Sequence, residues 1–155
     1  MSSCNRDEVC TAHERYLATR GRIEAGQLGW DALADFFSED AIFIDPAWGR
    51  VEGLANIRSF LVESMAGLED WRFVHEWHAI EGSRLVSHWW NRLPGQRADG
   101  SYYQAPGVSI FEYKGRGKFS FEMDLLNMVH VNELLRESGW RPPAGFHMPP
   151  KHPRR

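Results

Sequence analysis

Cysteine is scarce in this sequence, occurring only as Cys4 and Cys10. A disulfide between two residues so close would close a trivial loop, and neither has the further ligands a metal site needs. The reading is two reduced, structurally minor thiols and no metal. Also missing is any run of about 18 apolar residues, which excludes a membrane-spanning helix. The N-terminal segment is polar rather than signal-like, so a cytoplasmic protein without membrane contact is expected. Basic charge is not in excess: 18 Lys and Arg stand against 21 Asp and Glu, a formal net charge of −3. Such a chain offers no field for a phosphate backbone, which excludes nucleic acid as a partner. Gly115-Arg116-Gly117-Lys118 has the look of a phosphate loop but links two strands and lacks the full spacing, so it reads as a hairpin turn. No cofactor is implied.

Aromatic residues, by contrast, are abundant, with seven Trp among 155 residues. Trp is large and wants a partner for its N–H, so the cluster points to a thick aromatic core or to a ligand wall. The length suits a single domain, expected over residues 1–141, with a Pro-rich tail over 142–155. That tail, ending Pro149-Pro150-Lys151-His152-Pro153-Arg154-Arg155, is expected to form no regular element. It is placed to lie across a pocket mouth through Phe146 and Met148.

Apolar residues at Val9, Ala12, Tyr16, Leu17 and Ile23 follow helical spacing, and Trp30, Leu33, Ala34 and Phe37 outline a short second helix before a Ser38-Glu39-Asp40 turn. Ala41-Ile42-Phe43-Ile44-Asp45 is a β-type run stopped by Pro46. Leu54, Ile57, Phe60, Leu61 and Met65 form a third helix closing at Gly67. Residues 71–80, 85–93, 102–113 and 118–126 are β-rich runs separated by turn residues, the pattern of an antiparallel meander. Met128, Val131, Leu134 and Leu135 make a last helix with Gly139 as its C-terminal cap. Helices first and a curved antiparallel sheet after them give an α+β cone with the helices packed in the concave face and the 41–45 strand at one edge of the sheet.

Three stretches carry a resemblance: Arg15-Tyr16, Phe37-Ser38-Glu39-Asp40-Ala41 running into Ile44-Asp45-Pro46-Ala47-Trp48-Gly49, and Phe111-Glu112-Tyr113-Lys114-Gly115-Arg116-Gly117-Lys118. With the element order, they resemble the NTF2-like superfamily, including ketosteroid isomerases and SnoaL-like polyketide cyclases, from about Cys10 to Leu126. The resemblance implies a cone with a deep pocket, and an activity that the fold alone does not choose. In the isomerase-like members the Asp of the Asp-Pro segment is the general base, and Asp45 matches it. Tyr16 matches the oxyanion-stabilising Tyr of the first helix. Ser109 stands where those members carry a protonated Asp.

With strand phases borrowed from that family, alternation puts Val86, His88, Trp90 and Arg92 on the face of Asp45, along with Ser120, Glu122, Asp124 and Leu126. The opposite face of the last strand is an apolar stripe, Phe119, Phe121, Met123 and Leu125. Two readings stay open. Either the stripe faces the cone interior and Glu122 and Asp124 are solvated, or the acids face the pocket and the stripe is buried in a homodimer. His75 and His78, three apart on a strand, are expected on opposite faces and so not as a joint metal site. The candidate catalytic residues are Asp45, His88, Asp124, Glu122 and Tyr16. Trp48, Trp90, Ser109 and Leu126 are the candidate ligand contacts. The expected function is binding of a small, largely apolar molecule, with acid–base chemistry on it of isomerase, cyclase, dehydratase or hydrolase type. The alternatives are a non-catalytic carrier and an interaction dimer that fills its cone with its own Trp side chains.

Overall fold

The strand-like runs assemble into one six-stranded sheet among the described residues. A computed structural model describes residues 6–155, so Cys4 lies outside the described residues. The elements in chain order are α1 (Arg6–Glu24), a 3₁₀ segment (Trp30–Phe36), β1 (Phe37–Asp45), β2 (Gly49–Glu52), α2 (Leu54–Met65), β3 (Arg72–Glu81), β4 (Arg84–Gln96), β5 (Tyr102–Gly115), β6 (Lys118–Leu126) and α3 (Met128–Ser138). β3 to β6 form the expected meander, each pair antiparallel. β1 then lies parallel to β6, and β2 turns back antiparallel on β1. Two expectations change here. The sheet edge is β2, which the sequence reading missed, and not the 41–45 strand. Ser38, Glu39 and Asp40 belong to β1 and do not form a turn. The expected short second helix is present as a 3₁₀ segment.

Curvature comes from breaks in register, since an extra residue on one strand bends it and increases its twist. Such breaks fall between Phe37 and Ile42 on β1, between His75 and Trp77 on β3, and near Glu112 and Tyr113 on β5. The first core packs α1, α2 and the 3₁₀ segment onto the concave side of the sheet, with Tyr16, Phe37, Phe111 and Phe119 as its centre. A second cluster, of Trp71, Leu93, Ala105, Val131 and Leu134, lies under α3. Asn127 caps α3 by accepting from the backbone N–H groups of Val129 and His130, and Gly139 ends it at φ 70°, a conformation a side chain resists.

Residues 142–155 form no helix or strand, yet they fold back over the cone. Phe146 packs on the Trp140 ring at 5.7 Å. Arg154 bridges to the edge strand, its N–H donating to Trp48 O at 3.1 Å and its carbonyl accepting from Arg50 N at 2.8 Å. Among the described residues no helix is long and apolar enough to cross a membrane.

Candidate functional site

Asp45 ends β1 where Pro46 stops it, and the chain must turn at once to begin β2. The Asp45 carboxylate organises that turn: Oδ1 accepts from the N–H of Ala47 at 2.7 Å and of Trp48 at 2.8 Å. Burial pushes the Asp45 carboxyl up, and these two backbone donors hold it back. Trp48 itself is buried against Phe60. Both residues border a cavity of about 590 Å³ between the two hydrophobic clusters.

Glu122 and Asp124 border the same cavity, so the acids of β6 face inward and are not solvated. Glu122 is 2% exposed. The stripe on the other face is shorter than expected, because Phe119 is fully buried in the core against Phe111 and Tyr16. The register breaks at the start of the β5–β6 pairing put Phe119 and Glu122, three residues apart, on one side. Phe121 and Met123 are half-buried and Leu125 is exposed.

The acids do not stand alone. Tyr16 reaches down from α1 and its hydroxyl donates to Glu122, at 3.3 and 3.2 Å from the two carboxyl oxygens. Ser109, opposite Asp124 across β5 and β6, donates to Asp124 Oδ1 at 2.5 Å. Burial raises the Glu122 carboxyl well above the usual range, and the neighbouring Asp124 charge adds to it. Burial also lifts Asp124, to about 7, with the Ser109 hydrogen bond opposing and the Asp45 charge reinforcing the rise. Burial and the Glu122 charge together raise the Tyr16 phenol. Arg20, one turn along α1 from Tyr16, supplies a positive charge at the same cavity. Three carboxyl groups with one guanidinium in a mainly apolar cavity can take and give protons, and burial holds at least part of the set neutral near pH 7.

His88 and Trp90 are corrections. On β4 the buried positions are Leu85, Ser87, Trp89, Asn91 and Leu93, so His88 and Trp90 lie on the outer face with Val86 and Arg92. His88 Nδ1 is 2.7 Å from Glu76 Oε2, and its ring stacks on Trp77 at 5.5 Å. The cause is the pairing of Ser87 with Ser109, which puts Ser87 on the Asp124 side and fixes the phase of the whole strand. Leu126 and Ser109 do border the cavity. So do Trp89, Asn91 and Arg20, which the sequence reading passed over. Arg20 was findable, four residues after Tyr16 on a helix. Trp89 was not, because adjacent tryptophans give either phase an apolar residue.

His75 and His78 are a second correction. The bulge at Glu76 restores both to one side, with His78 Nδ1 and His75 Nε2 3.4 Å apart. His13 of α1 packs on both rings.

A curved sheet closed by helices around a cavity with acids at its wall defines a class of cone-shaped pocket proteins. The chain belongs to the SnoaL-like domain family, whose model matches residues 13–120. No curated protein matches the sequence significantly. Among solved structures, a protein assigned as a SnoaL-like polyketide cyclase from Shewanella putrefaciens CN-32 is similar at 18% identity, covering 83% of this chain and 86% of that one, with a TM-score of 0.64. An LEH-like epoxide hydrolase from M. tuberculosis is similar at 13% identity over 84% of this chain and 91% of that one, TM-score 0.62. A protein assigned as a ketosteroid isomerase from Kribbella flavida DSM 17836 follows at 20% identity over 78% of both chains, TM-score 0.59. At such identities these likenesses carry the fold alone.

Proposed function

We propose that this chain binds a small, largely apolar molecule bearing a carbonyl or hydroxyl group and performs acid–base chemistry on it without a cofactor. The observation that carries the reading is the convergence of Asp45, Glu122 and Asp124 on one cavity whose remaining wall is mainly aromatic and aliphatic. Chemistry of this kind needs titratable groups whose environments push them apart, so that a base and an acid coexist at one pH. Asp45, its Oδ1 held by two backbone donors, is the general base. Glu122, fully buried and with no backbone donor of that kind among the described residues, keeps its proton and serves as the acid or as a donor to a developing oxyanion. Asp124, lifted to about 7, exchanges protons with solvent near neutrality and returns the site to its starting state.

His88 has no part in this scheme, since it lies on the outer face. Tyr16 and Ser109 act indirectly, because each hydroxyl already donates to a carboxyl group. That engagement favours one second reading, a non-catalytic carrier in which Asp45 fixes ligand orientation. To separate the two, hydrophobic ketones, steroids and polyketide-like compounds are screened for binding, and turnover is compared between wild type and Asp45→Asn. A large loss of turnover with retained binding is expected. Unchanged turnover ends the general-base role, and binding without turnover by the wild type across the screen favours the carrier.

The outer sheet face supports a second proposal, a homodimer. Phe121, Met123 and Leu125 there join Trp77, which is 49% exposed, in an apolar surface that association would cover.

A further inference from the structure

Ser109 has one hydroxyl proton and more than one direction in which to send it. It can donate to an Asp124 carboxylate or turn round and accept from the neutral acid, and the two choices favour opposite protonation states. The neighbouring strand biases the choice. The Trp89 indole N–H donates to Ser109 Oγ at 2.9 Å, and Ser109 donates onward to Asp124 Oδ1 at 2.5 Å. Trp89 pairs across the sheet with Gly107, and its six-membered ring lies against that glycine. A Cβ at position 107 would sit 2.5 to 2.7 Å from three of the ring carbons, so only glycine leaves the indole its place. Phe73 holds the ring from the other strand at 5.6 Å.

We propose that Trp89 is a positioning residue for the acid–base centre: its indole N–H, seated by the absent side chain at Gly107, directs the Ser109 proton onto Asp124 and favours the carboxylate form of that residue. The proposal rests on reading Asp124 as a member of the proton-exchanging set. A donor into the Ser109 oxygen strengthens the hydroxyl as a donor in turn, as hydrogen bonds in a chain polarise one another. The other charged or titratable groups facing Asp124 are Glu122 from its own strand, Asp45 from β1, and Arg20 and Tyr16 from α1. Burial and the Asp45 charge push Asp124 toward the neutral acid, so the Trp89–Ser109 chain works against them.

The test uses the ligand-free full chain with carbon-13 in the Asp carboxyl groups, titrated by NMR from pH 4 to 9. Trp89→Phe keeps a ring and removes the N–H, and should raise the Asp124 midpoint by about half a unit to one unit. Ser109→Ala should raise it at least as far, and the double variant no further than Ser109→Ala alone. Gly107→Ala, which deletes no polar group, should raise it too. In the wild type, where folding is not at issue, the Trp89 indole N–H resonance should shift with the same midpoint as Asp124. An indole resonance that stays flat while Asp124 ionises overturns the proposal. So does a Trp89→Phe shift that survives in the Ser109→Ala background, or no shift at all. None of these readouts needs turnover. If Asp45→Asn leaves turnover intact while the shifts hold, the general-base reading fails and the relay stands.

Discussion

His13 is the residue whose surroundings oppose its ordinary chemistry most plainly. It is 1% exposed, neither ring nitrogen has a hydrogen-bond partner among the described residues, and the His75 and His78 rings pack on it. Burial, then the His78, His75 and Arg20 charges, depress it to about 3. The folded protein therefore keeps His13 neutral at pH values where the unfolded chain, titrating near 6.5, takes a proton. The unfolded state binds more protons between about 6.5 and 3, so this residue's contribution is intact above 6.5 and is lost as pH falls through that window. At pH 5 the loss is about 2 kcal/mol. Asp124 has the opposite sign. Its folded value of about 7 lies above the unfolded one, so it favours the folded state in acid and costs stability as pH rises through 7. Urea denaturation of wild type and His13→Phe from pH 4 to 8 isolates the histidine, since Asp124 is common to both. The difference between their stabilities should change by about that amount between pH 7 and 5, and a pH-independent difference would remove the effect.

At the scale of elements, the C-terminal strap and the edge strand form one unit. Gly49 begins β2 at φ +82°, and a Cβ there would fall 2.2 Å from the Arg154 backbone, well inside contact distance. Gly49→Ala should therefore detach Arg154 and strain the turn by about 1–2 kcal/mol. The Arg50 amide, which donates to Arg154 O, should lose its hydrogen-exchange protection in that variant. Persistent protection would show that the strap is held elsewhere. Truncation after Arg141 asks whether residues 1–141 are a unit by themselves: the shortened chain should fold with its pocket mouth opened, and loss of folding would assign the strap to the core.

The elements also show what a sequence reveals. The meander, α1, α2 and α3 were legible because their periods are strong and their turns carry Gly and Pro. β2 was not, because Gly49-Arg50-Val51-Glu52 is four residues long and gains its order from pairing with β1. Faces were legible only where no bulge intervenes. Asp45, Glu122, Asp124 and Ser109 came out on one cavity, as the borrowed phases implied. His88 did not, since its phase depends on a pairing with β5 that alternation within β4 cannot supply. His75 and His78 meet only because of the extra residue at Glu76, which nothing in the local sequence announces.

For the whole molecule, one sheet presents two faces with different chemistry. The concave face holds three acids in a cavity of about 590 Å³. The convex face holds His88 between Trp77 and Trp90, Arg92 over the Tyr102 ring at 3.7 Å, and the Phe121, Met123 and Leu125 stripe. If that face joins two copies, Phe121→Glu should convert a dimer to a monomer in sedimentation. A wild type that stays monomeric at high concentration would refute the interface. The concave face bears the central claim, and proton exchange tests it without knowledge of the final product. Ketones found to bind are incubated with the protein in deuterium oxide, and exchange of the hydrogens next to the carbonyl is followed by NMR. Wild type should catalyse exchange, and Asp45→Asn should lose about 10²–10⁴-fold of that rate while still binding the ketone. Equal exchange rates in the two proteins would contradict Asp45 as the base, and tight binding with no exchange by the wild type would contradict catalysis at this site.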